Sequence, residues 1–223
     1  MNNLLNNRIF VLFLAPFILG ALTILSFAPF NLTFINFFTF SGFLFLILEI
    51  KKKNIFNSKK KIFIRQFFYL GCSFGFGFFL FGNYWIAISL THDDEFRNLI
   101  PLSLTVIPFF LSLFFAIAVS IVGPFAQKNI FYILLFSLFF SLFEFLRGSL
   151  LTGFPWNLVS YTWSWSAESI QILSIIGTYA LSLISITFFC TPILFFQNKI
   201  IKKNVIFVFI LISILFQITY LEH

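Results

Sequence analysis

Charge is what this sequence has least of. Only 9% of its 223 residues are Asp, Glu, Lys or Arg, against 60% hydrophobic. A water-soluble domain carries roughly a quarter charged residues. Too few are present here to coat a globule, which excludes an ordinary soluble enzyme or binding module. Cysteine and histidine are scarce as well, two of each. Cys72 and Cys190 lie in separate apolar runs and form neither a metal-ligand spacing nor a disulfide framework. A nucleophilic cysteine needs an electropositive, partly exposed setting, and neither has one in the sequence. His92 stands beside Asp93, Asp94 and Glu95 in a single loop, a poor geometry for a metal, and His223 is the last residue. No Ser-His-Asp arrangement, metal site or cofactor is expected. No Gly/Ser linker and no internal repeat divides the chain, so residues 1–223 read as one transmembrane domain.

What is present is apolar sequence in long runs, each able to cross a hydrocarbon layer about 30 Å thick. Seven candidate spans follow: Ile9–Phe27, Leu32–Ile50, Phe67–Leu90, Leu99–Val122, Ile130–Leu146, Ile170–Phe196 and Asn204–Tyr220. The first run outlasts a signal-peptide core and has no small-x-small cleavage site after it, so it reads as an uncleaved span. Lipid leaves no partner for a stray backbone N–H or C=O, so the spans are helices. The expected fold is all-α, a polytopic bundle of about seven spans.

The net charge of +7 sits in the short loops. Arg8, Lys51, Lys52, Lys53, Lys59, Lys60, Lys61, Arg65, Lys128, Lys199, Lys202 and Lys203 fall on one side; Arg97 and Arg147 fall on the other. This asymmetry places the N-terminus in the cytoplasm and the C-terminus on the outer side. It also explains the basic balance without nucleic acid, for which no basic-aromatic surface or motif exists. All four tryptophans, Trp85, Trp156, Trp163 and Trp165, group on the outer side, as residues that favour the membrane interface.

A few residues stand out against this background. Glu144 and Arg147 are three apart near the end of the fifth run and so share a helix face. Ionisable groups within spans usually face protein or water, so the pair reads as an internal brace for the loop that follows. That loop holds Gly153, Phe154, Pro155 and Trp156. Gly permits unusual backbone angles, and Pro fixes its own φ while extending Phe154. The result is a rigid hydrophobic turn on the outer leaflet. Gly71 and Gly75 form a GxxxG pair suited to close helix approach.

The segment Glu144-Phe145-Leu146-Arg147-Gly148, followed by Leu151-Thr152-Gly153-Phe154-Pro155-Trp156, resembles a signature of the apolipoprotein N-acyltransferases. Other stretches resemble the family in the same order. They are Gly20-Ala21-Leu22 to Ser26-Phe27-Ala28-Pro29-Phe30, then Gly75-Phe76-Gly77 with Gly82-Asn83-Tyr84-Trp85-Ile86, then Ile176-Gly177-Thr178-Tyr179 with Leu181-Ser182. The resemblance implies a bacterial inner-membrane, multi-pass protein whose membrane part binds phospholipid. In that family a periplasmic nitrilase-like domain carries a Glu-Lys-Cys triad. It moves an acyl chain from phospholipid, through a thioester, to the N-terminal diacylglyceryl-cysteine of a lipoprotein.

This sequence stops at His223, where that domain would begin. The expectation is therefore a membrane module that is inactive alone, either a split subunit or a truncated product. Its partners would be phospholipid and a separate periplasmic nitrilase-like catalytic chain, with lipoprotein engaged only through that chain. Trp85, Glu144, Arg147, Gly153, Phe154, Pro155 and Trp156 are the lipid and loop candidates. The alternatives are a small transporter or channel and a non-catalytic lipid-binding membrane protein.

Overall fold

The computed structural model describes residues 7–54, 60–150 and 153–194. All regular structure among them is helical. A π-helical turn, Phe10–Leu14, leads into α1, Ala15–Thr23. There follow α2 (Ile35–Asn54), α3 (Lys60–Gly82), the short α4 (Tyr84–Ser89), α5 (Ile100–Val122) and α6 (Ile130–Ser149). A long loop then reaches α7 (Ala167–Ile176) and α8 (Thr178–Cys190).

Among the described residues, three helical segments are long and apolar enough to cross a membrane: Phe63–Gly82, Asp94–Phe125 and Ile130–Ser149. A fourth results if Ala167–Ile176 and Thr178–Leu194 are counted as one broken crossing. The segment Phe10–Ser26 is apolar but shorter. Helix α2 is 20 residues long, but Glu49, Lys51, Lys52 and Lys53 take four of its last six positions. The expected seventh span, Asn204–Tyr220, lies outside the described residues.

Two expected spans are broken rather than straight. The third ends at Gly82, and the chain restarts as α4 after Asn83, whose φ of −116° and ψ of 12° leave the helical region. The sixth is split by Gly177, at φ 79° and ψ 162°, and its two halves meet at 116°. Hydropathy continues across both breaks, which is why the sequence reads each as a single run.

Helices α1 and α5 pack on different flanks of α3, and small residues set the distance. A Cβ added at Gly71 would sit 2.7 Å from the Phe115 carbonyl oxygen, and one at Gly75 would sit 2.9 Å from Ser112 Cα. On the other flank, Gly20 of α1 and Gly77 of α3 abut the backbone carbonyls of Phe74 and Phe17. Glycines thus let the helix axes approach closely, the main source of helix association where lipid is as apolar as the protein.

Phenylalanine fills the centre. The rings of Phe43 and Phe74 lie 4.1 Å apart between centroids, and those of Phe115 and Phe140 lie 4.2 Å apart. Phe40 and Phe136 close the cluster. All six are buried, while Phe38, Phe125 and Phe131 face outward.

Candidate functional site

The loop after α6 turns back into the bundle. Leu158, Val159, Ser160 and Thr162 are all buried, and the 3-10 segment Val159–Trp163 packs on α8. Irregular backbone inside an apolar bundle needs partners for its N–H and C=O groups. Side chains supply them. Arg147 Nη1 donates to the carbonyls of Phe154 at 2.7 Å and Trp156 at 2.8 Å. Glu144 Oε1 accepts from the Val159 N–H at 3.0 Å. The Ser160 N–H donates to Ser182 Oγ at 3.1 Å, and Thr33 Oγ1 donates to the Thr162 carbonyl at 2.8 Å. From the backbone, the Phe154 N–H donates to the Arg147 carbonyl at 2.9 Å.

Glu144 is 0% exposed and Arg147 1%. Among the described residues no hydrogen bond or ion pair joins the two directly; each reaches the loop instead. The Arg147 guanidinium also lies over the Phe79 ring, 4.9 Å from its centroid, a favourable place for a desolvated cation. The pair therefore acts as an internal brace rather than reaching out to the membrane surface.

The turn itself is held by backbone geometry. Gly153 has φ 71°, and a Cβ there would stand 2.5 Å from the Gly148 carbonyl oxygen. Asn157 also adopts a positive φ, 53°. Its amide donates to the Gly82 carbonyl and to Asn83 Oδ1, both at 3.0 Å. The loop is thereby fastened to the break between α3 and α4. That break also carries Trp85, whose ring meets Trp156 with centroids 5.5 Å apart.

Trp85 is 43% exposed and Trp156 54%; Pro155 is exposed and Phe154 half-buried. The seven candidate residues thus converge on one region, with Glu144, Arg147 and Gly153 holding it and Pro155, Trp85 and Trp156 presented outward. Trp163 departs from the expected interfacial belt. It stacks on Phe189 and donates from Nε1 to Ser185 Oγ at 2.7 Å.

Asn83, Asn157 and Ser182 complete the scaffold and were not among the candidates. Their signal in the sequence is a polar residue interrupting an apolar run, a weak one because none of the three positions names its partner. Leu151 and Thr152, which belong to the signature, lie outside the described residues.

An apolar groove of about 710 Å³ runs between the N-terminal helical segment and α3, lined by Phe13, Phe17, Tyr69, Cys72 and Phe76 among others. It opens sideways where Ile9, Leu14 and Phe109 are exposed. Cys190 is fully buried. Among the described residues no group of His, Cys, Asp and Glu is placed to hold a metal.

A family model described as the apolipoprotein N-acyltransferase N-terminal domain matches residues 19–191. The chain belongs to this family. Among its relatives is the apolipoprotein N-acyltransferase of Rickettsia prowazekii, 40% identical over 76% of this chain and 32% of that protein. The Rickettsia bellii protein of the same name is 38% identical over 68% of this chain and 30% of that protein. That of Brucella melitensis is 32% identical over 81% and 34%. The chain spans about a third of the length of the curated relatives it matches. The braced loop, Trp85 and the glycine-lined face of α3 all lie within the apolipoprotein N-acyltransferase domain match.

Proposed function

We propose that this chain is the membrane module of an apolipoprotein N-acyltransferase of the bacterial inner membrane. It crosses about seven times, counting Asn204–Tyr220, with its N-terminus cytoplasmic and its C-terminus periplasmic. Residues 1–223 form one domain that receives phospholipid at the periplasmic leaflet and presents its acyl ester to a nitrilase-like Glu-Lys-Cys centre. That centre lies outside these residues, in the same or a separate polypeptide, and passes the acyl chain to the amino group of a lipoprotein's diacylglyceryl-cysteine. These 223 residues are inactive by themselves: thioester chemistry needs an accessible thiolate activated by a base, whereas Cys190 is fully buried and Cys72 lines an apolar groove.

One observation carries the reading: the Gly153–Trp156 turn is held by Arg147, and Glu144 fixes Val159 just beyond it, while Trp156 and Trp85 stay exposed as a pair. A fixed aromatic platform at an interface suits an amphipathic lipid, since an indole is apolar in its body and wet at its N–H. The membrane module and a nitrilase-like portion, reconstituted together in liposomes, test it. Acylation of a diacylated lipopeptide is expected with both and with neither alone. Acylation by the nitrilase-like portion without this chain would overturn the reading. Phospholipid binding with no acylation in any combination would favour a non-catalytic lipid-binding protein, and solute flux would favour a transporter.

A further inference from the structure

At the end of the bundle opposite the braced loop, the last turns of α2 meet the turn between α5 and α6 around a pocket of about 410 Å³. Lys51, Lys52 and Lys128 line it with one carboxylate, Glu49, and its wall includes Phe45 and Leu48. Lys51 is fixed in place: its Nζ donates to the Ala126 carbonyl at 2.7 Å and keeps two further donors. Helix α6 begins at Ile130, two residues beyond Lys128, and α2 ends at Asn54, so a positive and a negative helix end both lie near the pocket and its side chains set its sign. Three ammonium groups against one carboxylate leave the pocket cationic.

The surroundings show which anion fits. Phe125 and Phe131, which flank the turn, are 62% and 78% exposed. Rings so exposed beside a basic pocket mark the boundary between hydrocarbon and head groups, not open water. A ligand here meets positive charge at one end and apolar surface at the other.

We propose that this pocket binds the head group of an anionic phospholipid, with the acyl chains lying along Phe45, Phe125 and Phe131. Basic pockets between helices at the cytoplasmic side of a membrane are suited to such lipids. The site is distinct from the acyl donor's place at the loop, since it lies at the other end of α6, and it serves to anchor and orient the module.

The test uses the purified full chain, stripped of lipid in mild detergent and transferred to nanodiscs of phosphatidylcholine with increasing phosphatidylglycerol. Retained lipid is counted by native mass spectrometry. Phosphatidylglycerol is expected to be held in preference to phosphatidylcholine, and the preference to weaken with salt. Lys52→Gln and Lys128→Gln are each expected to weaken binding about fivefold, and together about 30-fold, while Lys52→Arg preserves it. Arg97→Gln, which removes an exposed charge before the far end of α5, is expected to leave it unchanged, separating this site from general surface charge. Equal retention of the two lipids, or full binding by the double variant, would overturn the proposal. So would complete displacement by millimolar inorganic phosphate, which would make the pocket a site for soluble anions.

Discussion

The two ends of α6 are held by different physics. Towards its start and middle, Phe136 and Phe140 pack by ring contacts into a cluster with Phe40, Phe43, Phe74 and Phe115. Towards its end, Glu144 gives Oε1 and Arg147 gives Nη1 to a loop, while Glu144 Oε2 and Arg147 Nε and Nη2 are buried without a hydrogen-bond partner. Packing suffices where every backbone group is already paired inside a helix. Where the chain leaves helical geometry inside an apolar bundle, each exposed N–H or C=O needs a partner from elsewhere in the protein. Charge is tolerated there because it carries hydrogen bonds that a neutral aliphatic side chain cannot make.

The largest expected effect comes from breaking the polar end. Arg147→Ala removes the donor to two loop carbonyls and leaves Glu144 buried without its countercharge. A loss of about 3–5 kcal/mol is expected, read as a lower unfolding midpoint in detergent, because removing one buried charged partner strands the other. Arg147→Ala combined with Glu144→Gln should recover part of that loss. An unchanged midpoint in the single variant would show that the loop holds without the brace.

The packing end is probed next. Gly75→Val places new atoms against Ser112, and overpacking of this kind costs about 1–3 kcal/mol. The effect should appear as separation of α3 from α5, measured by loss of a spin-label distance between the two helices. Phe43→Leu keeps an apolar side chain of similar reach, so its cost should be under about 1.5 kcal/mol. A larger loss would mean that ring stacking, rather than volume, maintains the cluster.

The smallest effect on stability is expected at the exposed platform. Trp156→Ala should change stability by less than about 0.5 kcal/mol, as for other exposed positions, and yet reduce lipopeptide acylation in the reconstituted system. Unimpaired acylation would remove the loop from the lipid's path.

Much of the fold could be read from hydropathy. Helices α5 and α6 begin within one residue of their expected starts, at Ile100 and Ile130. Composition averages over a run, however, and cannot register a single residue leaving helical geometry, so the breaks at Asn83 and Gly177 were not anticipated. The brace could be partly read: helical spacing put Glu144 and Arg147 on one face, and burial then decided between loop and lipid. What the spacing could not supply was the partner. Arg147 bonds to residues seven and nine positions on, across a turn, and Asn157 bonds to Asn83 over a separation of 74 residues. Contacts of that reach depend on how the helices pack, which no local pattern encodes.

The inward turn of Trp163 has an optical consequence. Of the four indoles in the chain, Trp163 lies face to face with Phe189, 5.8 Å between centroids and 11° from parallel. Trp156 and Trp165 are more than half exposed and Trp85 nearly so. The unlabelled protein therefore contains two kinds of emitter. Brominated lipid should quench the outer three and spare the inner one, so light from a native residue reports whether the loop is seated.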